Sequence, residues 1–340
     1  MRIVFFGTPD YVLPILKSLH KTQRSISSKS PIVAVVTQKP RPAGRRQNLT
    51  YSPVDTWAHK KKIPVYHHSK GLVENKVEAD IGVLAAYGEI IPKFVISHLS
   101  FDILNVHPSL LPKFRGASPI QATIVSGKNV TGATIMKIDE GIDHGPIISQ
   151  FKEEVRGNDT TETLRKRLFE KSAEVLTTLL PAYLKGKIKL RQQDHKKATF
   201  TTLLKKQHGF IPPKFLAASF KGQTLKADWK IPFMKTKDSQ ALLIKGHRGA
   251  ASSAYTLNPN PYTLDLFIRA MQPWPIAWTN IKLKVKSEKL KVKRLKILKA
   301  HLEPSTINHQ SLVIDEVQLE GKNPVSWKQF RQGYATVTFE

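Results

Sequence analysis

The 340-residue chain contains no cysteine, which excludes disulfides, thiolate metal sites and cysteine nucleophiles. No window approaches the roughly 18 uninterrupted apolar residues of a transmembrane helix, so no membrane span is expected. A secretory or transit segment is not expected either. Met1-Arg2 runs directly into the short apolar stretch Ile3–Phe6 and then a turn at Gly7-Thr8-Pro9-Asp10, which is too short for a signal h-region. A cytoplasmic location follows as the expectation. Gly7 stands alone after the first apolar run, so the dinucleotide fingerprint is missing. No Walker loop and no H-E-x-x-H motif occurs, and the missing phosphate loop argues against redox or kinase chemistry. The pair His67-His68 is a weak metal candidate, because adjacent residues on a strand point to opposite faces.

Acidic residues are scarce: 26 Asp plus Glu stand against 54 Lys plus Arg, a net of +28. Residues 191–340 carry +16 of that excess. A field of this sign attracts polyanions and speeds their capture. A general enrichment in lysine would give the same balance without a nucleic-acid partner, and charge alone does not separate DNA from RNA. From Lys282 to Lys299 nine basic residues face the single Glu288, and apolar residues alternate with lysines. Period two over that length predicts a strand or hairpin with one basic face; an ordinary solvated sheet face is the plainer alternative.

Forty per cent of the chain is hydrophobic, enough for a real core. Its first half alternates short apolar runs with helical patterns. Runs at Ile3–Phe6, Ile32–Thr37, Ile81–Ala85, Ile103–Val106 and Ala133–Met136 read as strands. Helical patterns follow Gly7–Asp10, open at Ser52-Pro53 and Ser118-Pro119, and extend from Asp159 to about Leu184. At those starts, serine followed by proline suits an N-cap and first turn. Asp159 with Glu162 reads as a capping-box-like start. The alternation predicts an α/β fold, a mostly parallel Rossmann-like sheet covered by helices, with ligands at the carboxyl ends of the strands. Beyond Lys185 the texture turns polar and basic, and then to short alternating segments. We expect a first domain over residues 1–189, a linker over 190–206 and a smaller OB-like β-barrel over 207–340.

The chemistry-bearing segment is Asn105-Val106-His107-Pro108-Ser109-Leu110-Leu111-Pro112. Asn105 and His107 are two apart, so on an extended chain they share a face. Gly141-Ile142-Asp143-His144-Gly145-Pro146 supplies a carboxylate on a turn after another strand. An amide, an imidazole and a carboxylate meeting at strand ends suit acyl transfer to an amine. Asn105 would donate to the oxygen of a tetrahedral intermediate. His107 would accept and return the proton, and Asp143 would orient the imidazole or a water and stabilise its charged form. Taken singly, each has a duller reading: a strand-end amide, a partly buried histidine, a turn aspartate.

Together these two strings resemble the signature of the 10-formyltetrahydrofolate-dependent formyltransferases. Within that family, five further motifs resemble the branch acting on methionyl-tRNA: Phe6–Asp10, Arg41–Arg45, Ala86–Pro92, Arg115–Gln121 and Thr131–Met136. Ala227-Asp228-Trp229 and Ile268–Pro275 resemble the C-terminal domain of that branch. The likeness runs nearly end to end, although residues 230–262 are longer than it predicts. Lys245–Gly249 and the tract around His208–Ile211 also depart from the pattern.

The resemblance implies a one-carbon transferase of translation initiation. Its formyl donor is 10-formyltetrahydrofolate, its acceptor is methionyl initiator tRNA, and no metal is needed. The catalytic trio falls on Asn105, His107 and Asp143. Folate is expected against Ala86, Tyr87, Gly88, Ile90 and Ile91, against Ser109, Leu110, Leu111 and Pro112, and against the stretch from Asp139 to Asp143. The basic loop Gln38–Gln47, with Arg41, Arg45 and Arg46, is the expected contact to the tRNA acceptor end, where arginine can stack on a base or clamp phosphate. Lys284, Lys286 and Lys291 are expected phosphate contacts. A monomer is expected. The alternative within enzymes is formylation of a small amine, an amino sugar or glycinamide ribonucleotide, which would not call for residues 207–340 or the basic loop.

Overall fold

The computed structural model describes residues 1–22, 30–43, 47–235, 254–283, 291–305, 309–334 and 337–339. Of the sequence candidates, Arg45, Arg46, Lys284 and Lys286 lie outside the described residues, as do Lys245–Gly249. The chain divides into two compact units. One comprises Met1–Arg115, Thr131–Glu153 and Arg165–Lys197; the other Gly116–Val130, Glu154–Leu164 and Ala198–Glu340.

The first unit is built on a seven-stranded sheet. In chain order its strands are β1 (Ile3–Gly7), β2 (Ile32–Val36), β3 (Val65–Tyr66), β4 (Ile81–Ala85), β5 (Ile103–His107), β6 (Val130–Lys137) and β7 (Ile147–Glu154). They lie side by side as β7-β6-β5-β4-β1-β2-β3. β1 pairs in parallel with β2 and β4, β2 with β3, and β4 with β5. The expected mostly parallel sheet is present, and its composition explains it. β1 is buried at all five positions, because helices cover both faces and a continuous apolar run is then what a strand needs. Val4, Phe6, Ala34, Val36, Leu72, Val95 and Ile103 form one core cluster beside it. The chain winds from β1 to β2 on one side and to β4 on the other. The switch point therefore lies between β1 and β4, where α/β sheets open a crevice at their carboxyl ends. Thr8 closes that edge by donating its hydroxyl to the Tyr87 carbonyl at 2.7 Å.

Two local expectations are met and one shifts. Ser52 accepts the Asp55 N–H at 3.0 Å and Pro53 begins the helix Pro53–Lys60. The helix Pro119–Val125 follows Ser118. The long helix spans Thr161–Leu184, but its reciprocal cap is Thr160 with Thr163, at 3.0 and 3.3 Å, not Asp159 with Glu162. Asp159 instead accepts the Arg156 N–H and the Thr163 hydroxyl. The basic loop after β2 also contains more structure than a loop reading predicts: Arg41–Ala43 pairs antiparallel with Asn48–Thr50.

In the second unit, β8 (Phe200–Thr201), β9 (Trp229–Lys235) and β10 (Ala254–Leu257) form a small antiparallel sheet. A five-stranded sheet follows, made of β11 (Ala277–Leu283), β12 (Lys291–Ser305), β13 (His309–Leu319), β14 (Val325–Ser326) and β15 (Val337–Thr338). Its order is β14-β13-β12-β11-β15 and every recorded pairing is antiparallel. It curls into a half-barrel, the barrel-like C-terminal element foreseen from the sequence. β11 alternates buried and half-buried positions throughout, and its described part of the lysine pattern pairs antiparallel with β12, Lys282 opposite Val292 and Leu283 opposite Lys291. The helix Pro261–Ala270 packs on Pro119–Val125 and on β12.

Candidate active site

Strand β5 carries Asn105 and His107 on one face, as their spacing requires, with His107 almost wholly buried. Strand β6 runs antiparallel to it, His107 lying opposite Thr134 and Leu104 opposite Lys137. The turn after β6 therefore starts at the amino end of β5, where the Ile138 N–H reaches the Ile103 carbonyl at 2.8 Å. From there it folds back over the face that bears Asn105. Asp143 sits in this returning turn with φ +45°. So the trio meets over the carboxyl half of β5, and the segment that carries the carboxylate sets out from the amino end of that strand.

Asn105 Nδ2 donates to Asp143 Oδ1 at 2.9 Å. His107 Nδ1 stands 3.4 Å from Asp143 Oδ2, an ion-pair separation longer than a good hydrogen bond. On the other side of the ring, His107 Nε2 lies 3.0 Å from the Phe114 carbonyl. A carbonyl only accepts, so Nε2 carries a hydrogen. In the neutral ring that leaves Nδ1, beside the carboxylate, as the nitrogen with the lone pair.

The segments expected to hold folate are placed as follows. Ala86 takes a left-handed φ of +46° directly after β4. Tyr87 is buried edge-on against Phe6, with its hydroxyl donating to Glu89; burial, with Glu89 beside it, holds that phenol well above its ordinary pKa. The Gly88 carbonyl accepts from the Gln38 amide. Ile91 is buried, whereas Ile90 is 85% exposed, an apolar side chain in water at the crevice edge. After β5, the Ser109 hydroxyl donates to the Lys113 carbonyl at 2.6 Å. Thr134 Oγ1 donates to the Ser109 carbonyl and accepts the Leu111 N–H. Leu111 is buried, Leu110 and Pro112 are half-buried, and the Leu111–Pro112 peptide is cis. The Ser109 hydroxyl and carbonyl and the Leu111 N–H are thus engaged by Lys113 and Thr134. Asp139 accepts the Gly141 N–H and pairs with His144 Nδ1 at 2.7 Å.

Sequence reasoning missed a layer beneath the trio. Arg115 is fully buried, and Gln193 nearly so. Arg115 donates to Gln193 and to His195, whose ring stacks on His144. Burial pushes the Arg115 guanidinium below its ordinary pKa, while Asp143 and Asp139 hold it up. Arg115 stands in one of the resembling motifs, but Gln193 falls in a polar tract with no periodicity to mark it.

Among the described residues no group of three or more potential ligands could hold a metal ion. His67 pairs with the buried Asp55 at 2.7 Å and His68 accepts the Gly71 N–H, which are structural roles. Of the expected RNA contacts, Arg41 is exposed in its hairpin and Lys291 is exposed at the start of β12. Among the described residues no helix is long and apolar enough to cross a membrane.

The Formyl transferase family model matches residues 1–180, and that of the Formyl transferase C-terminal domain matches residues 258–335. A methionyl-tRNA formyltransferase of Geotalea daltonii is 30% identical over 356 residues, covering 99% of this chain and 97% of the relative. One from Chloroflexus aurantiacus is 39% identical over 285 residues, covering 82% and 76%. The crystal structure of an N-formyltransferase from Helicobacter canadensis, in complex with folinic acid and dTDP-3-aminofucose, superposes with a TM-score of 0.59 at 14% identity, covering 96% and 98%; it shares the fold. The chain therefore belongs to the formyltransferase family, in its methionyl-tRNA formyltransferase branch.

Proposed function

We infer that the protein transfers the formyl group of 10-formyltetrahydrofolate to the α-amino group of methionyl initiator tRNA. The observation that carries the chemistry is the ordered set Asn105, His107 and Asp143, with the histidine tautomer fixed by the Phe114 carbonyl. The amine nitrogen attacks the formyl carbon, and the carbonyl oxygen becomes an oxyanion. An asparagine amide has two hydrogens; one goes to Asp143, which fixes the amide plane, and the other is free to donate to that oxyanion. His107 Nδ1 takes the proton released by the attacking nitrogen and returns it to the leaving nitrogen of the folate as the old carbon–nitrogen bond breaks. Asp143 stabilises the imidazolium between these two transfers. An α-amino group has an ordinary pKa of about 7.7–8.0, so a useful fraction is uncharged near neutrality and no strong base is required. Exposed Ile90 and the occupied turn Ser109–Pro112 suit the walls of a folate cleft. In the same reading Arg41, Arg45 and Arg46 meet the acceptor end, Lys284, Lys286 and Lys291 meet phosphates, and the protein works as a cytoplasmic monomer.

Formyl transfer from labelled 10-formyltetrahydrofolate, offered charged initiator tRNA, charged elongator tRNA, an amino sugar and glycinamide ribonucleotide in parallel, tests the assignment. Label is expected on the initiator tRNA. Efficient labelling of a small amine with none on tRNA would reverse it.

A further inference from the structure

We propose that Gln193 is a positioning residue of the formyl-transfer site, holding the Asp143 turn in place through its side-chain amide. The inference rests on the catalytic reading of Asp143. The Gln193 side chain is 5% exposed, and its amide is saturated. Nε2 donates one hydrogen to the Asp143 carbonyl at 2.9 Å and the other to the Gly145 carbonyl at 2.7 Å. Oε1 accepts from Arg115 Nε at 3.2 Å and from Arg115 Nη2 at 2.7 Å. A guanidinium only donates and a carbonyl only accepts, so the amide has one possible orientation.

Its anchorage is equally defined. Two residues earlier, Arg191 exchanges both backbone hydrogen bonds with Ile147, at 2.8 and 2.9 Å, which fixes the segment beside β7. On the far side, Arg115 Nη2 also donates to His195 Nδ1 at 2.8 Å. The His195 ring lies flat on His144, 4.0 Å between centroids and 3° between planes, and His144 reaches Asp139 at 2.7 Å. The turn is thus held at Asp139 through His144, and at Asp143 and Gly145 through Gln193.

The turn needs such a clamp. Asp143 occupies the left-handed region at φ +45°, which costs a non-glycine residue about 1–2 kcal/mol. At Gly145 the backbone passes so close to β6 that a Cβ would lie 2.0 Å from the Lys137 carbonyl. Removing the Gln193 amide would take one donor from each of these carbonyls, that of Gly145 in a buried place, and relaxation of the turn would carry the Asp143 carboxylate away from Asn105 and His107. Displacement of a reacting group by about 1 Å commonly costs on the order of 100-fold in rate.

A plain structural role, tying residues 190–197 to the fold, makes a different prediction, and a double-mutant cycle in the full-length protein separates the two. Single-turnover formylation of charged initiator tRNA would be measured for wild type, Gln193→Ala, Asp143→Asn and the double variant, with KM for donor and tRNA. We expect Gln193→Ala to slow the chemical step by roughly 10- to 100-fold with both KM values within about threefold of wild type. In the Asp143→Asn background the same change is expected to cost less than about threefold. Gln193→Glu controls for folding, because a carboxylate keeps and strengthens the Arg115 contact while removing both donors. It is expected to melt no lower than Gln193→Ala and yet lose a similar factor in rate. Equal losses from Gln193→Ala in both backgrounds, or a wild-type rate for Gln193→Glu, would overturn the proposal. Failure of the wild type to formylate tRNA would instead defeat the assigned reaction, so the two failures are told apart.

Discussion

Replacing Asp143 by Asn isolates the charge in the site from its shape. The amide has the volume of the carboxylate, and its oxygen can still accept from Asn105 as Asp143 Oδ1 does at 2.9 Å. The change falls on Oδ2, which faces His107 Nδ1 at 3.4 Å. Coulomb's law for unit charges at that separation, with an effective dielectric of about 20, gives roughly 5 kcal/mol of attraction once the imidazole is protonated. The Asp143 side chain keeps 14% of its surface in water, and desolvation offsets a further share. If about half survives, its loss slows the step by roughly 70-fold at 1.4 kcal/mol per decade. A second effect adds to this: the new NH2 would donate to the Nδ1 lone pair and occupy the one nitrogen free to take the proton. The combined expectation is a fall in the single-turnover rate of about 100- to 1,000-fold, within the range of a lost acid–base group. Donor KM and melting temperature should stay close to wild type. Stopped or quenched formylation at saturating donor and tRNA reads the rate directly. A rate within about fivefold of wild type would refute both the tautomer and the role of the carboxylate.

Other expectations are more quickly stated. Replacing Lys284, Lys286 and Lys291 by Ala should raise the tRNA KM without base preference and flatten the slope of log affinity against log salt, by about 0.9 for each phosphate no longer neutralised; an unchanged slope would place the tRNA on another surface. Arg45→Ala should impair formylation of tRNA while folate titrations stay as in wild type. The pKa of His195 lies below its ordinary value, first through burial and then through His144 and Arg115. Unfolded chains take up a proton there near pH 6.5, so its contribution to stability is intact above that pH. It is lost as pH falls from there through the folded-state pKa. Melting temperatures of wild type should therefore drop more steeply below about pH 6.5 than those of His195→Asn, and parallel curves would count against this. Finally, a chain cut after Leu190 loses Gln193 and His195 and leaves the helix Pro119–Val125 without its partner Pro261–Ala270. It should show a broadened circular-dichroism melt and little formylation; a sharp, wild-type-like melt would contradict the packing argument.

What the sequence revealed follows from how far apart the cooperating residues lie. The parallel core was legible because strands covered on both faces become unbroken apolar runs such as Ile3–Phe6, a signal contained within four or five residues. Asn105 and His107 were legible as a pair for the same local reason. That both meet Asp143 came from the resemblance, since 38 residues separate Asn105 from that carboxylate. The direction of β6 was not legible: its residues read the same in either direction, and only the connection over Pro108–Asn129 decides it. The trio meets at the carboxyl end of β5, and the turn that brings Asp143 there sets out from the amino end of that strand. The His107 tautomer depends on the carbonyl of Phe114, and a backbone group leaves no mark in side-chain identity. Gln193 reaches Arg115 across 78 residues from a tract of polar composition, where periodicity has nothing to register. The capping shift from Asp159 to Thr160 is of another kind, because neighbouring residues compete for the same N–H groups and either can cap.

The charges of the molecule and of its site have opposite signs, and the reaction needs both. A net of +28 acts over the whole surface and favours arrival of a polyanion. Screening limits its reach to about 8 Å at physiological salt, so it does not fix what happens inside a nearly buried site. There the buried Arg115 guanidinium stands with the two carboxylates Asp139 and Asp143, a formal balance of one negative charge. An amino group arriving from solvent is partly cationic near neutrality. In the proposed mechanism a local negative balance draws that cation in, and Asp143 beside His107 Nδ1 then favours the proton moving from the amine to the ring. Arg115 interacts favourably with both carboxylates, and through Gln193 it also reaches the backbone that carries Asp143. A neutral residue at 115 would remove both a positive charge that interacts with Asp143 and Asp139 and the donors that orient Gln193, so the same arginine bears on the charge and on the geometry of the proposed proton transfer.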